Sequence, residues 1–250
     1  MSVKYSKKDI IRILESTSPI SEIEKAKDEF FPFIDRYMAG CKHLVFHYEG
    51  DVWEHTKLVV QGITQQEHDW IDILAALLHD VGKKDALARN VKNMHGHELD
   101  SERIAATWLA ETSIEKDTRK TILWLVRNHM KALDLRVMRS KYDIWKLVKH
   151  PLFRRLEKLA SADLHGTLNE NGIPLENFHD ILMRPIVSEC IENEMPLPLV
   201  ERSDFTNQKW NEEKISLAIE MCHRMQINGK LNNRESLIRA AIRNLNDSSF

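Results

Sequence analysis

The segment WIDILAALLHDVGK, residues 70–83, constrains this chain more than any other. It is apolar almost all round, which at helical period describes a helix buried on every side. That helix ends on His79-Asp80 and runs into Val81-Gly82-Lys83, with Gly82 where a C-cap glycine is expected. An imidazole and a carboxylate delivered to the end of a buried helix need partners, because burying unpaired polar groups is costly. A hard or borderline divalent metal supplies them. Neighbouring helical residues point about 100° apart, so both reach one ion only near a helix end, where the backbone leaves ideal geometry. His79 and Asp80 sit at such an end.

The remaining sequence is helical in pattern too. Only 8 glycines and 7 prolines occur in 250 residues, and both residue types interrupt helices. Residues 1–38 read as one or two helices: Ile10, Ile11 and Leu14 keep a helical period, and Ser18-Pro19 ends the first. Ser21 followed by Glu24 resembles a capping box opening the next. Phe30, Phe31, Phe33 and Tyr37 form an aromatic anchor whose expected role is core packing. From Asp51 the signals strengthen through DVWEHTKLVVQGI, the segment 70–83, and HELDSERIAATWLAE with Leu99, Ile104 and Trp108 on a face. Asp117 or Thr118 opens TRKTILWLVRNHM. Residues 142–165 supply a further helix that Pro151 interrupts. Asn171-Gly172-Ile173-Pro174 is a turn. MRPIVSECIENE is amphipathic, PLPLVERSDF is loop-like, and 211–226 and 233–246 are two final helices. No alternating strand pattern of useful length occurs. The expected fold class is all-α.

Charge and cysteine usage narrow the function. With 36 basic and 38 acidic residues the formal net charge is −2, which excludes a polybasic protein that holds nucleic acid by bulk charge. Cys41, Cys190 and Cys222 have neither disulfide-framework nor zinc-finger spacing. The start, MSVKYSKKDI, lacks the apolar run of a signal peptide, and no segment has the 18 or so apolar residues of a membrane span. The expected setting is cytoplasmic, with no membrane partner. Histidine is the unusual count: of 12, seven (His43, His47, His55, His68, His79, His95 and His97) fall between positions 43 and 97. Histidine binds metals and moves protons near neutral pH.

Further candidate ligands recur one per helix: His55, His97, His129 and Asp163. Taken singly, a histidine on an apolar face is most often a hydrogen-bonded core residue. Together with His79-Asp80 they point to a metal centre. His95 competes with His97, and His97 is preferred because it begins a helix.

The ordered set His55, His79-Asp80 and Asp163 resembles the H…HD…D signature of the HD superfamily of metal-dependent phosphohydrolases. Five motifs in order (EGDVWEHTKLVV, AALLHDVGK, GHELDSERIA, LVRNH and ASAD) are similar to the HD domain attached to bacterial CCA-adding tRNA nucleotidyltransferases and their poly(A) polymerase relatives. The resemblance covers about 40–170. PLVERSDF and the helix ending MQINGKLNNRESLIRAA are similar to the tail of that family, although NQKWNEEK replaces the turn usually found there. The 40 residues before the HD region lack the Gly-Ser strand-turn and paired aspartates of a nucleotidyltransferase head, so nucleotide addition is not expected.

What the resemblance implies is specific. The fold is an HD-domain helical bundle with additional N- and C-terminal helices: an N-terminal helical segment over 1–40, the HD metal-dependent phosphohydrolase domain over 41–170, and a helical C-terminal extension over 171–250. His55, His79, Asp80 and Asp163 form a first metal position. His97 and His129 serve a second, with Asp80 bridging, and a shared carboxylate offsets the repulsion of two nearby cations. Asp80 and Lys83 are the catalytic candidates, Lys83 holding a phosphate oxygen as the bond breaks. Glu54 and Glu98 flank ligand histidines and are candidates to orient them. The cofactor is one or two divalent ions among Mn, Fe, Co, Ni, Mg and Zn. The expected activity is hydrolysis of a phosphoester of a nucleotide or RNA, as a 2′,3′-cyclic phosphodiesterase or a nucleotide phosphatase. The alternative is a catalytically weak RNA- or nucleotide-binding module engaging tRNA-like RNA. The nine cations of 127–155, interleaved with Tyr142, Trp145 and Phe153, favour that second reading.

Overall fold

The structure, a computed structural model, describes residues 3–43, 48–89, 94–174 and 176–247. His47 lies outside them. Every regular element among the described residues is helical, and β pairing is confined to isolated bridges such as Tyr5 with Thr112. The fold is an all-α helical bundle. The chain divides into two compact units, residues 1–136 with 151–182, and residues 137–150 with 183–250.

The first unit contains α1 (Lys7–Leu14), α2 (Pro19–Phe30), a π-helical turn (Ile34–Met38), α3 (Val52–Thr64), α4 (Trp70–Leu78), α5 (Lys83–Arg89), α6 (His97–Leu109) and α7 (Lys116–Asp134). After an interruption for α8 (Lys141–Val148), which belongs to the second unit, it resumes with α9 (Phe153–Gly166) and α10 (Phe178–Leu182). Pro151 lies in the turn between α8 and α9, where a missing N–H and a fixed φ end one helix before the next begins. Helix α4 is the hub and packs on α1, α3, α7 and α9. Ile73, Leu74, Ala75, Ala76, Leu77 and Leu78 are all fully buried, as the unbroken apolar run requires.

Two devices fix where α4 ends. At its start, Asp69 and Asp72 form a capping box. Arg155 of α9 holds Asp69 at 2.7 Å and Asp72 at 2.7 Å, while Lys158 holds Asp72 at 2.9 Å. At its far end Gly82 approaches the start of α6. A Cβ on Gly82 would lie 2.3 Å from Ser101 N and 2.5 Å from His97 O. Its N–H donates to Ser101 Oγ at 2.9 Å. Gly82 is therefore not the left-handed C-cap expected from sequence; its φ is not positive, and close backbone approach is what demands glycine.

Helices α3 and α9 make the most extensive pairing in the molecule. Gly62 faces Ala162 and Gly166 faces Val59, each so closely that an added Cβ would meet its neighbour at 3.1 Å. Small residues at the crossing let the two helices close, which brings His55 and Asp163 together. Behind the site, Tyr5, Phe31 and Phe33 pack around Trp108 at ring separations of 5.9, 5.9 and 5.3 Å, so Phe31 and Phe33 of the aromatic anchor are core, while Phe30 and Tyr37 are half-buried. The Ser21–Glu24 capping box does not form: α2 starts at Pro19 with Ser18 as N-cap, because proline at the first helical position is preorganised to open a helix. In α6, Leu99 is exposed and the inward face is His97, Ser101, Ile104, Ala105 and Trp108.

The second unit comprises α8, α11 (Pro185–Glu192), a 3-10 helix (Arg202–Gln208), α12 (Glu212–Ile227) and α13 (Arg234–Asp247). Part of the segment read as loop is thus the 3-10 helix. Its core gathers Val200, Phe205, Ile215, Ala218, Cys222, Leu237, Ala241 and Leu245. No described helix is long and apolar enough to cross a membrane.

Candidate metal centre

The first unit brings His55, His79, Asp80, Lys83, His97, His129 and Asp163 to one place, all of them buried. Helices α3, α6, α7 and α9 supply His55, His97, His129 and Asp163, while His79 caps α4, Asp80 follows in the turn and Lys83 opens α5. His129 lies inside α7 rather than at its end.

Asp80 is the centre of the arrangement. Its Oδ2 faces His79 Nε2 at 3.2 Å, His55 Nε2 at 3.6 Å and Lys83 Nζ at 2.5 Å. Its Oδ1 faces His97 Nε2 at 3.1 Å and His129 Nε2 at 3.8 Å. Asp163 Oδ1 completes the first side, 3.0 Å from His55 Nε2 and 3.8 Å from His79 Nε2. Besides a group of His43, Glu49 and His55, two groups of potential metal-ligating atoms result, His55 with His79 and Asp80, and Asp80 with His97 and His129. One carboxylate serves both.

The histidine tautomers follow from the backbone. Carbonyls three residues earlier lie at Nδ1 of His79 (Ala76 O, 2.7 Å), His97 (Met94 O, 2.9 Å) and His129 (Val126 O, 2.7 Å). A carbonyl only accepts, so each Nδ1 carries a proton and each ring turns its Nε2 edge inward. The Nε2 atoms of His97 and His129 are 3.0 Å apart. If neither nitrogen carries a proton, two lone pairs at that distance repel, and either a shared proton or a cation beside them relieves the contact. Burial, with His97 and His79 close by, pushes the His129 pKa down to about 3, so His129 does not supply that cation by protonation. In addition, His79 Nε2 and Asp80 Oδ1 are buried without a hydrogen bond, although Asp80 Oδ2 lies 3.2 Å from the first and His97 Nε2 3.1 Å from the second. Such atoms cost about 1–3 kcal/mol each when left unsatisfied. The donor set of imidazoles and carboxylates without thiolate fits one or two divalent ions.

Other groups are tuned by the same packing. Burial alone would raise the Asp80 carboxyl, but His79 and Lys83 outweigh it and hold it well below the usual carboxylate range. Asp163 is likewise held low, burial being overcome by the hydrogen bond from His55 and by His79. His55 goes the other way: burial opposes its charge, yet hydrogen bonds to Asp163 and Glu49 raise its pKa to about 9.

Lys83 is buried, not a solvated lysine at a helix end, and its Nζ also lies 3.4 Å from His43 Nδ1. Lys84 is exposed and donates to Arg36 O. His95 and His165 are exposed and outside the cluster. Glu54 does not orient His55: it is exposed and pairs with Lys57. Glu98 does not orient His97, whose Nδ1 is met by Met94 O. The residue that sequence reasoning missed is Glu49, whose Oε1 lies 2.9 Å from His55 Nδ1. It was present in the EGDVWEH motif, but it precedes α3 and falls on no helical period.

Residues 52–165 match the HD domain family. A 151-residue stretch, 60% of this chain, is 25% identical to the multifunctional CCA protein of Azoarcus sp. (strain BH72). The match covers 35% of that protein, so the chain spans about a third of the length of this relative.

Proposed function

We propose that the protein is a metal-dependent phosphohydrolase that cleaves a phosphoester of a nucleotide or RNA, with water as the attacking group. The observation that carries this reading is the shared carboxylate: Asp80 presents one oxygen to His55 and His79 and the other to His97 and His129. His55, His79, Asp80 and Asp163 would hold the first divalent ion, and Asp80, His97 and His129 the second. When bound, such ions draw charge from phosphoryl oxygens and acidify water.

The chain's own groups do the remaining work. The Lys83 ammonium, fixed beside Asp80, meets a phosphoryl oxygen and stabilises the charge that builds there. Water attacks phosphorus and gives up a proton to solvent, the ester P–O bond breaks, and the departing oxygen takes a proton from solvent. A cysteine nucleophile has no support: Cys41, Cys190 and Cys222 are buried, and burial raises each thiol pKa, which suppresses thiolate.

The reading as an RNA- or nucleotide-binding module draws on the tRNA-related name of the relative. Its physical support is thinner. Cations of 127–155 are ion-paired within their own units: Arg127 with Glu102, Arg136 with Glu176, Lys141 with Glu189, Lys146 with Glu220 and Arg155 with Asp69. Tyr142, Trp145 and Phe153 are buried and so not placed to stack on bases.

The test is metal analysis of protein purified without chelator, with hydrolysis assays on nucleotides and 2′,3′-cyclic phosphates for wild type and Asp80→Ala. One or two ions and turnover that Asp80→Ala abolishes are expected. Bound metal without turnover on any substrate moves the assignment to the binding module. Folded protein that takes up no metal overturns the metal centre.

A further inference from the structure

Three of the four clustered histidines are held at Nδ1 by a neutral backbone carbonyl. His55 differs. Its Nδ1 lies 2.9 Å from Glu49 Oε1 and 3.3 Å from Gly166 O, so the closer of the two groups on that nitrogen is a carboxylate. The Glu49 side chain is 1% exposed, so its charge is shielded from water. Its second oxygen, Oε2, accepts from Leu168 N at 3.1 Å, and Tyr48 N donates to Leu168 O at 3.2 Å. Glu49 therefore joins a histidine of α3 to the chain immediately after α9, the helix that carries Asp163.

A carboxylate at Nδ1 does two things that a carbonyl does less well. It fixes the ring so that Nε2 alone faces inward, here toward Asp163 Oδ1 and Asp80 Oδ2. It also pulls on the Nδ1 proton, which makes Nε2 the stronger electron donor. The two metal positions are unequal in other respects as well. The first has four protein groups including two carboxylates, and the second has three including only the shared one.

We propose that Glu49 is the positioning residue of the centre, orienting and strengthening His55 so that the position formed by His55, His79, Asp80 and Asp163 binds a divalent ion more tightly than its neighbour. This rests on the reading of the cluster as a metal centre. Glu49 acts through His55 and does not itself touch the ion.

The experiment is a Mn(II) titration of the full chain against a chelating indicator, for wild type, Glu49→Gln and Glu49→Ala, with melting curves of each protein without metal. Wild type is expected to take up two ions in separable steps. Glu49→Gln keeps an acceptor for Leu168 N and removes the charge from Nδ1. It is expected to weaken the tighter step about 10–100-fold while the weaker step changes little. Glu49→Ala is expected to lose at least as much. If Glu49→Ala does not fold, Glu49→Gln decides alone. Unchanged steps in a folded Glu49→Gln overturn the role of Glu49 while leaving the metal centre standing. So does equal weakening of both steps in proportion to a lowered melting temperature, which marks a merely structural contact. Loss of one ion from the stoichiometry makes Glu49 a ligand, since His43, Glu49 and His55 also lie close enough to share an ion, and that outcome overturns the proposal too. Wild type that binds no ion removes the metal centre and the proposal together.

Discussion

Lys83 Nζ lies 2.5 Å from Asp80 Oδ2, so the carboxylate common to the two proposed metal positions already has a cation of the chain's own beside it. An ammonium at that oxygen competes with a divalent ion for the same charge. Lys83→Met is therefore expected to bind Mn(II) several-fold more tightly than wild type while losing about 100-fold in phosphoester turnover, the size of effect seen when one charge-stabilising donor is removed. Indicator titration and steady-state kinetics on one variant read both. Turnover equal to wild type would show that Lys83 plays no part at the phosphate.

The geometry around Asp80 sets a stoichiometric rule. Asp80→Asn weakens both groups of ligands at once, whereas His97→Gln touches only the one containing His129. Elemental analysis should give two ions in wild type, one in His97→Gln and none in Asp80→Asn. Equal losses in the two variants would contradict a shared carboxylate between separate positions.

Gly82→Ala probes the turn. The new Cβ would fall 2.3 Å from Ser101 N and 2.5 Å from His97 O, both backbone atoms that cannot swing aside. The expected cost is about 3 kcal/mol, the upper end of ordinary overpacking. The displaced start of α6 carries His97 with it, so weaker uptake of the second ion is expected in the folded fraction. Denaturant unfolding with and without Mn(II) separates the two effects.

The start of α4 offers a test in pH. Hydrogen bonds from Arg155 hold the Asp69 carboxyl below its ordinary range, against an opposing push from burial. A carboxylate whose folded pKa is depressed stabilises the fold above its unfolded pKa and loses that contribution as pH falls through its folded pKa. Wild type should thus lose stability below roughly pH 4, and Arg155→Met should show a shallower slope there. At neutral pH the variant should be less stable by about 2 kcal/mol. That is below the value for a fully buried pair, because Asp69 is partly exposed and screened. Identical pH slopes would rule out Asp69 as the responsible group.

The sequence made the centre legible because its strongest constraint is local. An apolar run that ends on His79-Asp80 states both that a helix is buried and that its polar end needs partners. His55, His97, His129 and Asp163 could be added because each recurs on an apolar helical face, a period-based signal. The groups that orient the ligands carry no such period. Carbonyls of Ala76, Met94 and Val126 belong to no residue type, and Glu49 sits in an irregular segment before α3. Glu54 and Glu98 were the natural candidates because they adjoin ligands in sequence, but adjacent helical residues point apart, and adjacency predicts the wrong face. Gly82 illustrates a different ambiguity. A helix-end glycine is required equally by positive φ and by a close backbone crossing, and only three-dimensional contact tells them apart.

His55 and Asp163 touch across 108 positions of sequence. Their contact exists only after α9 has docked against α3, with all the intervening helices enclosed in the loop they close. Such long-range closure is entropically expensive and comes late in folding. A partly folded chain, however helical, cannot present these ligands together. Ion capture at this pair would therefore time-stamp the completion of the bundle, and the rate of Mn(II) uptake during refolding would report the last step of assembly, not the first.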